Sequence, residues 1–252
     1  MTPEEYKFLY ELEEHHWWFV GMRNVVAVLL DSHNSVVPAR ILDAGCGTGF
    51  MMSWLRRRFV NAKVHGLDRS PNALHYCRAR GEPLLVRGSV AELPFSNNAF
   101  DLIVTFDVLN CFSPEEAARP FAELARILAG GGMILIRVPA LQLLYSQHDR
   151  AVSSAHRYTA RELADRLAMN GLVLERVTYA NTFLFPVALV WRWLRRSPGG
   201  TPQSDVKPLP RGLGWLNPLL AGLLAIEAWW LKHLRWRLPV GLTVIALARK
   251  PQ

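Results

Sequence analysis

The run most able to do chemistry is Asp43-Ala-Gly45-Cys46-Gly47-Thr48-Gly49-Phe50, in which an acid stands two residues ahead of three alternating glycines. The stretch RILDA leading into it reads as a short apolar strand, and the residues after it read as a helix. Glycines between a parallel strand and a helix let the backbone turn sharply and bring helix N–H groups against a ligand. The dinucleotide pattern G-x-G-x-x-G is excluded, because counted from Gly45 it requires glycine where Phe50 stands. A second carboxylate, Asp68, ends the next strand-like run, 19 residues past Gly49. At that place in a doubly wound sheet it can accept hydrogen bonds from both hydroxyls of a ribose. Asp68-Arg69-Ser70-Pro71 reads equally well as a plain helix cap.

Positioning these groups requires an α/β scaffold. Apolar runs at 40–44, 63–68, 84–88, 101–106, 133–138, 172–179 and 241–248 read as strands, and amphipathic stretches near 50–59, 71–80, 114–128 and 159–170 read as helices. The interval 89–100 reads as a loop. Gly130-Gly131-Gly132 is expected to end a helix before a strand, and Asn170-Gly171 to end another. Thr159 with Glu162 three residues on is expected to open the helix ARELADRLAM with a capping box. The stretch 197–212, rich in Pro and Gly, reads as a mobile loop.

The pattern Asp-x-Gly-x-Gly-x-Gly resembles the first motif of class I S-adenosylmethionine-dependent methyltransferases. Gly88-Ser-Val-Ala-Glu-Leu-Pro-Phe95 is similar to the loop that flanks the adenine in that family, with Ser89 where an Asp is usual. Contact with adenine is then expected through the backbone of Ser89, Val90 and Ala91. Phe100–Asn110 resembles the fourth strand and its exit towards the methionine end of the cofactor, at Asp107. Asn110-Cys111 replaces a Glu-His of many relatives, so a role assigned to that His does not carry over. GGGMILIRVPA resembles the fifth strand and GLTVIALARK the closing antiparallel one. The N-terminal run from Glu14 to Arg23, with Trp17, Trp18 and Phe19, resembles the aromatic helix that covers the cofactor in a methyltransferase type 11-like subgroup. The resemblance implies a Rossmann-like, seven-stranded, mostly parallel sheet with an antiparallel last strand. It also implies S-adenosyl-L-methionine as cofactor, held by Trp18, Arg23, Asp43, Gly45, Cys46, Gly47, Gly49, Asp68, Arg69, Ser89, Val90 and Asp107, with Arg23 meeting the methionine carboxylate.

Ser146-Gln-His148-Asp149 and His156-Arg157-Tyr158-Thr159 follow the fifth strand, where open α/β sheets bind ligands. Methyl transfer is an in-line displacement that needs alignment and, for a hydroxyl acceptor, removal of a proton. His148 or His156 is the candidate base, with Asp149 and Tyr158 as positioning groups. An acceptor already ionised needs no base.

The 252 residues carry 29 Lys+Arg against 21 Asp+Glu, a formal net charge of +8. Residues 183–252 hold ten basic residues and two acids, and six of the nine tryptophans, so the preceding 182 residues are neutral. The expected organisation is an N-terminal helical cover (1–35), a cofactor-binding core (36–180 and 240–252) and a helical insertion (181–239). Within the insertion, Asn217-Pro218 is expected to cap a helix whose leucine face includes Leu219, Leu220, Leu223, Leu224, Ile226, Trp230, Leu231 and Leu234. Glu227 falls on that face, paired with a buried Arg or pointing into a cavity. Trp and Arg mixed with Leu suit an anionic membrane surface or a lid over an apolar pocket. The run is poor in Asn, Gln, Ser and Lys, which disfavours RNA and DNA. Three scattered cysteines suggest neither disulfides nor a metal site and point to a reducing cytoplasmic compartment, and the insertion adds an expected location peripheral to the inner face of the membrane. The acidic N-terminus does not resemble a secretory signal. The expected activity is O-methylation of a hydrophobic small molecule, lipid or lipid-linked saccharide. The rivals are a non-catalytic cofactor-binding scaffold and an RNA methyltransferase.

Overall fold

The computed structural model describes residues 2–32, 37–194, 212–234 and 237–252. Helices α1 (Pro3–Leu12) and α2 (Trp17–Asp31) precede β1 (Arg40–Ala44), and then come α3 (Phe50–Arg58), β2 (Lys63–Asp68), α4 (Pro71–Ala79), β3 (Leu85–Arg87), β4 (Phe100–Phe106), α5 (Ala118–Ile127) and β5 (Leu128–Pro139). A short α6 (Gln147–Ala151) and α7 (Ala160–Met169) lead to β6 (Val173–Ala180). Helices α8 (Phe185–Leu194) and α9 (Leu216–His233) separate it from β7 (Thr243–Arg249).

The strands form one sheet in the order β3-β2-β1-β4-β5-β7-β6. Neighbours from β3 to β5 are parallel, and β7 runs antiparallel to both β5 and β6. The expected seven-stranded, mostly parallel sheet with an antiparallel last strand is therefore present. Strand order reverses between β1 and β4, so their carboxyl ends open the crevice where ligands of such sheets sit. Buried residues of α5 and α7 cover one face of the sheet, and those of α2, α3, α4 and α9 cover the other.

The glycine triplet departs from expectation. Helix α5 ends at Ile127 and β5 starts at once, so Gly130–Gly132 lie inside the strand, where the register jumps from Phe100 opposite Leu128 to Leu102 opposite Met133. The glycines let an irregular loop of backbone bulge out of the ladder. The helix expected from residue 114 starts at Ala118, because 114–117 form turns.

Helix α9 packs against α2, and its buried stripe is Leu224, Glu227, Ala228 and Leu231 rather than the whole leucine face. Leu219, Ile226 and Leu234 of that face are exposed. The contact is close: a Cβ on Gly21 of α2 would fall 2.3 Å from Leu224 Cδ1. Asn217 does not cap its own helix, which begins one residue earlier at Leu216. Its Oδ1 accepts from Trp17 N–H at 2.8 Å and its Nδ2 donates to the His15 carbonyl at 2.7 Å, so it caps α2 instead. The stretch 197–211 and residues Arg195, Arg196, Arg235 and Trp236 lie outside the described residues.

Among the described residues, Glu227 meets backbone N–H groups rather than an Arg. Fully buried, its carboxylate accepts from the N–H groups of Asn181 (2.6 Å) and Phe183 (2.9 Å), with Thr182 N–H also bonded to it. Burial pushes its pKa up, and these backbone bonds offset the rise. One turn further on, Arg176 donates to the Leu231 carbonyl at 2.7 Å in the last turn of α9. Removing the carboxylate leaves several buried N–H groups unsatisfied, worth roughly 3 kcal/mol. Glu227→Ala should therefore lower the melting temperature by about 6–12 °C, and Glu227→Gln, which keeps an acceptor oxygen, should cost less. Thermal unfolding of both variants checks the order; equal stability of Glu227→Ala and the parent contradicts the assignment.

Candidate cofactor site

The glycine-rich loop takes the path that its composition allows. Gly45 (φ +90°) and Gly49 (φ +83°) occupy the left-handed region, and a Cβ on Gly45 would stand 2.1 Å from Val108 Cγ2. Gly49 is the N-cap of α3, so the helix start lies directly after the loop. Asp68, at the carboxyl end of β2, turns back to the loop: Oδ2 accepts from Gly47 N–H (3.0 Å) and Oδ1 from Ser70 N–H (2.8 Å). The cap reading and the ligand reading of Asp68 are thus compatible, since each oxygen keeps a lone pair. Burial raises its pKa and the backbone bonds offset the rise.

Asp43 is buried 43 residues into the chain at the end of β1, and its Oδ2 has no hydrogen-bond partner. Desolvation, reinforced by the nearby Asp68 and opposed by Arg137, pushes its pKa up to about 8. An orphaned buried acceptor beside a glycine cradle fits a ligand that brings N–H or O–H donors, such as a nucleoside with hydroxyl and ammonium groups.

Helix α1, inside the expected N-terminal helical cover but not placed there individually, lies over this loop. A Cβ on Gly47 would meet Leu9 Cδ2 at 3.7 Å, and Tyr6 is buried beside Ser70 and Asp68. Arg80 of the α4 C-cap latches it: Nε donates to the Thr48 carbonyl (3.1 Å), Nη1 to Glu14 (2.7 Å), and Nη2 to the Tyr10 carbonyl (3.0 Å) and Glu13 Oε1 (2.8 Å). The Thr48 hydroxyl donates to the same Glu13 oxygen. Burial pushes Glu13 up to about 7, against the pull of Thr48 and Arg80. The missed signal is Thr2-Pro3-Glu4-Glu5, where Thr2 and Glu5 form a full capping box with Pro at the first turn.

Of the remaining expected cofactor residues, Trp18 packs on Arg137 with the guanidinium 4.8 Å from its ring centroid, and Asp107 is the ion-pair partner of Arg137. Cys46 is buried with its Sγ 3.7 Å from Cys77 Sγ, and both burial and this hydrogen bond push the Cys46 thiol up. Ser89 uses its hydroxyl to accept from Ala91 N–H (3.2 Å), shaping a turn in which Val90 is buried; Arg69 is exposed. Arg23 has other partners than a ligand carboxylate: it donates to the Glu13 and Glu14 carbonyls and stacks 4.5 Å from the Phe50 centroid, fixing the α1–α2 turn.

On the acceptor side, Asn110 holds the loop after β5. Its carbonyl accepts from Ala155 and His156 N–H, and its Nδ2 donates to Ser154 Oγ at 3.0 Å, while Oδ1 stays buried and unpaired. His156 Nε2 lies 2.8 Å from Glu162 Oε1. Glu162 thereby leaves the capping box half made, with only its N–H bonded to Thr159 Oγ1. Asp149 does not orient a histidine: it is buried and ion-paired with Arg157 at 2.8 Å. Tyr158 is a core residue, donating to the Leu109 carbonyl at 3.3 Å, and burial pushes its phenol up to about 12. Both therefore shape the loop, since neither presents a polar atom to solvent. His148 lies in α6, half-buried.

Asp43 and Glu13 share a linkage consequence. Both folded-state values are raised above the unfolded ones near 4, so folding takes up protons, and the stability they contribute is full in acid and is lost as pH rises through about 7 for Glu13 and about 8 for Asp43. Melting temperature should fall between pH 5 and pH 8.5. Asp43→Asn should flatten the slope up to about pH 8, and Glu13→Gln only its part below about pH 7; slopes unchanged in both variants would contradict the burial of ionisable acids here.

Residues 42–136 match the family described as methyltransferase domain. Among relatives, a phthiotriol/phenolphthiotriol dimycocerosates methyltransferase of Mycobacterium leprae is 36% identical over 96 residues, 37% of this chain; the chain spans only 35% of that protein's length. A malonyl-[acyl-carrier protein] O-methyltransferase of Halorhodospira halophila is 29% identical over 222 residues, covering 82% of this chain and 70% of that one. A solved S-adenosylmethionine-dependent methyltransferase of Mesorhizobium loti superposes with a TM-score of 0.59 at 18% identity, covering 92% of this chain and 98% of that one. The strand order, the glycine cradle at the switch point and the matched segment agree: residues 42–136 are similar to the methyltransferase domain, and the chain has the class I S-adenosylmethionine-dependent methyltransferase fold.

Proposed function

We propose that the protein transfers a methyl group from S-adenosylmethionine to an oxygen, hydroxyl or carboxyl, of a hydrophobic small molecule, lipid or lipid-linked saccharide. The observation that carries the cofactor half is the cradle itself: left-handed glycines at 45 and 49, Asp68 at the end of β2, and the unpaired Oδ2 of buried Asp43. When bound, the cofactor supplies an electrophilic methyl on a sulfonium. Asp68 is placed to accept from the ribose hydroxyls, the 89–91 backbone to flank the adenine, and Trp18 with α1 to exclude water. For a hydroxyl acceptor, His156 held by Glu162 is the base; Asp149 and Tyr158 keep its loop in place.

The acceptor half rests on the insertion. On α8 and α9, Val187, Val190, Trp191, Trp215, Leu219, Ile226 and Trp229 are exposed, with Trp215 60% and Trp229 53% accessible, while Lys232 and Arg237 are exposed nearby. No helix of the described residues is long and apolar enough to cross a membrane. A helix apolar on its outer as well as its packed side suits contact with lipid from the surface. The relatives named for a dimycocerosate and an acyl-carrier substrate support an apolar acceptor.

Isothermal titration with S-adenosylhomocysteine should show saturable binding, weakened at least about tenfold in Asp68→Ala, the loss of a charge-assisted hydrogen bond. No binding, or binding indifferent to Asp68→Ala, rejects the reading. In flotation, the protein should rise with vesicles containing phosphatidylglycerol, and Trp215→Ser/Trp229→Ser should remain in the dense fraction. Equal flotation of both, or salt-sensitive binding to bulk RNA without flotation, removes the membrane half.

A further inference from the structure

Arg137 stands in β5 on the face covered by α2, paired in register with Phe106 of β4. Its guanidinium lies between two aromatic rings, 4.8 Å from the centroid of Trp18 and 4.7 Å from that of Phe106. Two of its nitrogens, Nε at 3.0 Å and Nη2 at 2.5 Å, donate to one oxygen, Oδ2 of Asp107. Nη1 has no acceptor among the described residues, although the Arg137 side chain is only 9% exposed. A guanidinium carries five N–H groups, and one carboxylate oxygen satisfies a minority of them. The cation is desolvated, flattened between rings and incompletely bonded, a costly arrangement unless a further anion completes it.

The partner is held as firmly. Asp107 has φ +58°, a left-handed backbone at a non-glycine residue, and its N–H donates to the Arg137 carbonyl at 2.8 Å. Strain of this kind persists where the surroundings enforce it and clusters at ligand sites. Asp107 directly follows β4, the strand beside the glycine cradle, and the charge of Arg137 acts on the buried Asp43. The pair therefore borders the crevice at the carboxyl ends of β1, β4 and β5.

We propose that Arg137, clamped between Trp18 and Phe106 and anchored on one side by Asp107, is a carboxylate-binding residue of the crevice. The planar fork suits a carboxylate better than a neutral oxygen. The carboxylate is that of the methionine part of the cofactor or that of an acidic acyl acceptor. The inference rests on the proposed function for its ligands, and a carboxylate acceptor, ionised at neutral pH, needs orientation rather than a base.

The test uses the full-length protein as parent, Arg137→Met and Arg137→Lys, with two matched pairs of probes: S-adenosylhomocysteine against 5′-methylthioadenosine, which lacks the amino-acid carboxylate, and dodecanoate against dodecanol. If the cofactor supplies the carboxylate, Arg137→Met weakens S-adenosylhomocysteine about 10–100-fold, the scale of a charged hydrogen bond, and leaves the other three probes unchanged. If the acceptor supplies it, dodecanoate alone weakens by that factor. Arg137→Lys, which keeps charge and loses the fork, falls between parent and Met variant on the same probe and serves as the readout if the Met variant does not fold. No change with any probe, or equal weakening within a matched pair, overturns the proposal. Failure of the parent to bind either nucleoside rejects the proposed function, while the dodecanoate pair still reports on Arg137.

Discussion

The buried carboxylate of Glu227 is the contact from which the rest of the architecture hangs. By accepting the N–H groups at the start of the insertion, it fixes α9 against the end of β6. Helix α9 in turn fixes α2, through the Gly21–Leu224 contact and the Asn217 cap on Trp17. Helix α2 then places Trp18 on Arg137 at the crevice. A chain of short-range contacts thus connects the last connection of the sheet to the first helices of the chain. Buried charge is tolerated at its origin because backbone donors, aligned by a turn, replace the lost water.

A second theme is an excess of buried acid around the glycine loop. Glu13, Asp43 and Asp68 all have raised pKa values, with burial as the main cause. Arg80, paired with Glu13, and Arg137, whose charge acts on Asp43, balance them only in part. Such a site is poorly satisfied by itself and well suited to a cationic, donor-rich ligand. Helix α1 adds to the imbalance by covering the loop with Tyr6 and Leu9, and the bonds of Glu13 to Thr48 and Arg80 offset part of that cost.

The parts that sequence made legible are those where backbone geometry restricts the residue. Strands β1 and β2 are found to the residue, and the loop between β1 and α3 is recognisable because Gly45 and Gly49 answer a demand that other residues meet poorly. Long-range pairing is what one-dimensional reading lacks. Arg137 is invisible within an otherwise apolar strand, and Glu162 reads as a capping residue until His156 is seen beside it. A helical wheel places Glu227 on a leucine face correctly and cannot foresee that a turn of backbone donors will meet it. Helix α1 carried its own signal in Thr2 and Glu5; its short length and polar composition concealed that it buries Tyr6.

The tight seat of Leu224 on Gly21 has an evolutionary reading. With no room for a Cβ at position 21, the first helices and the late insertion cannot drift independently: a larger residue in one needs a smaller one in the other. The two segments lie some two hundred positions apart yet are sterically tied to one another. Exchanging the insertion between related proteins to change the acceptor would therefore carry over cleanly only if the N-terminal pair of helices travelled with it.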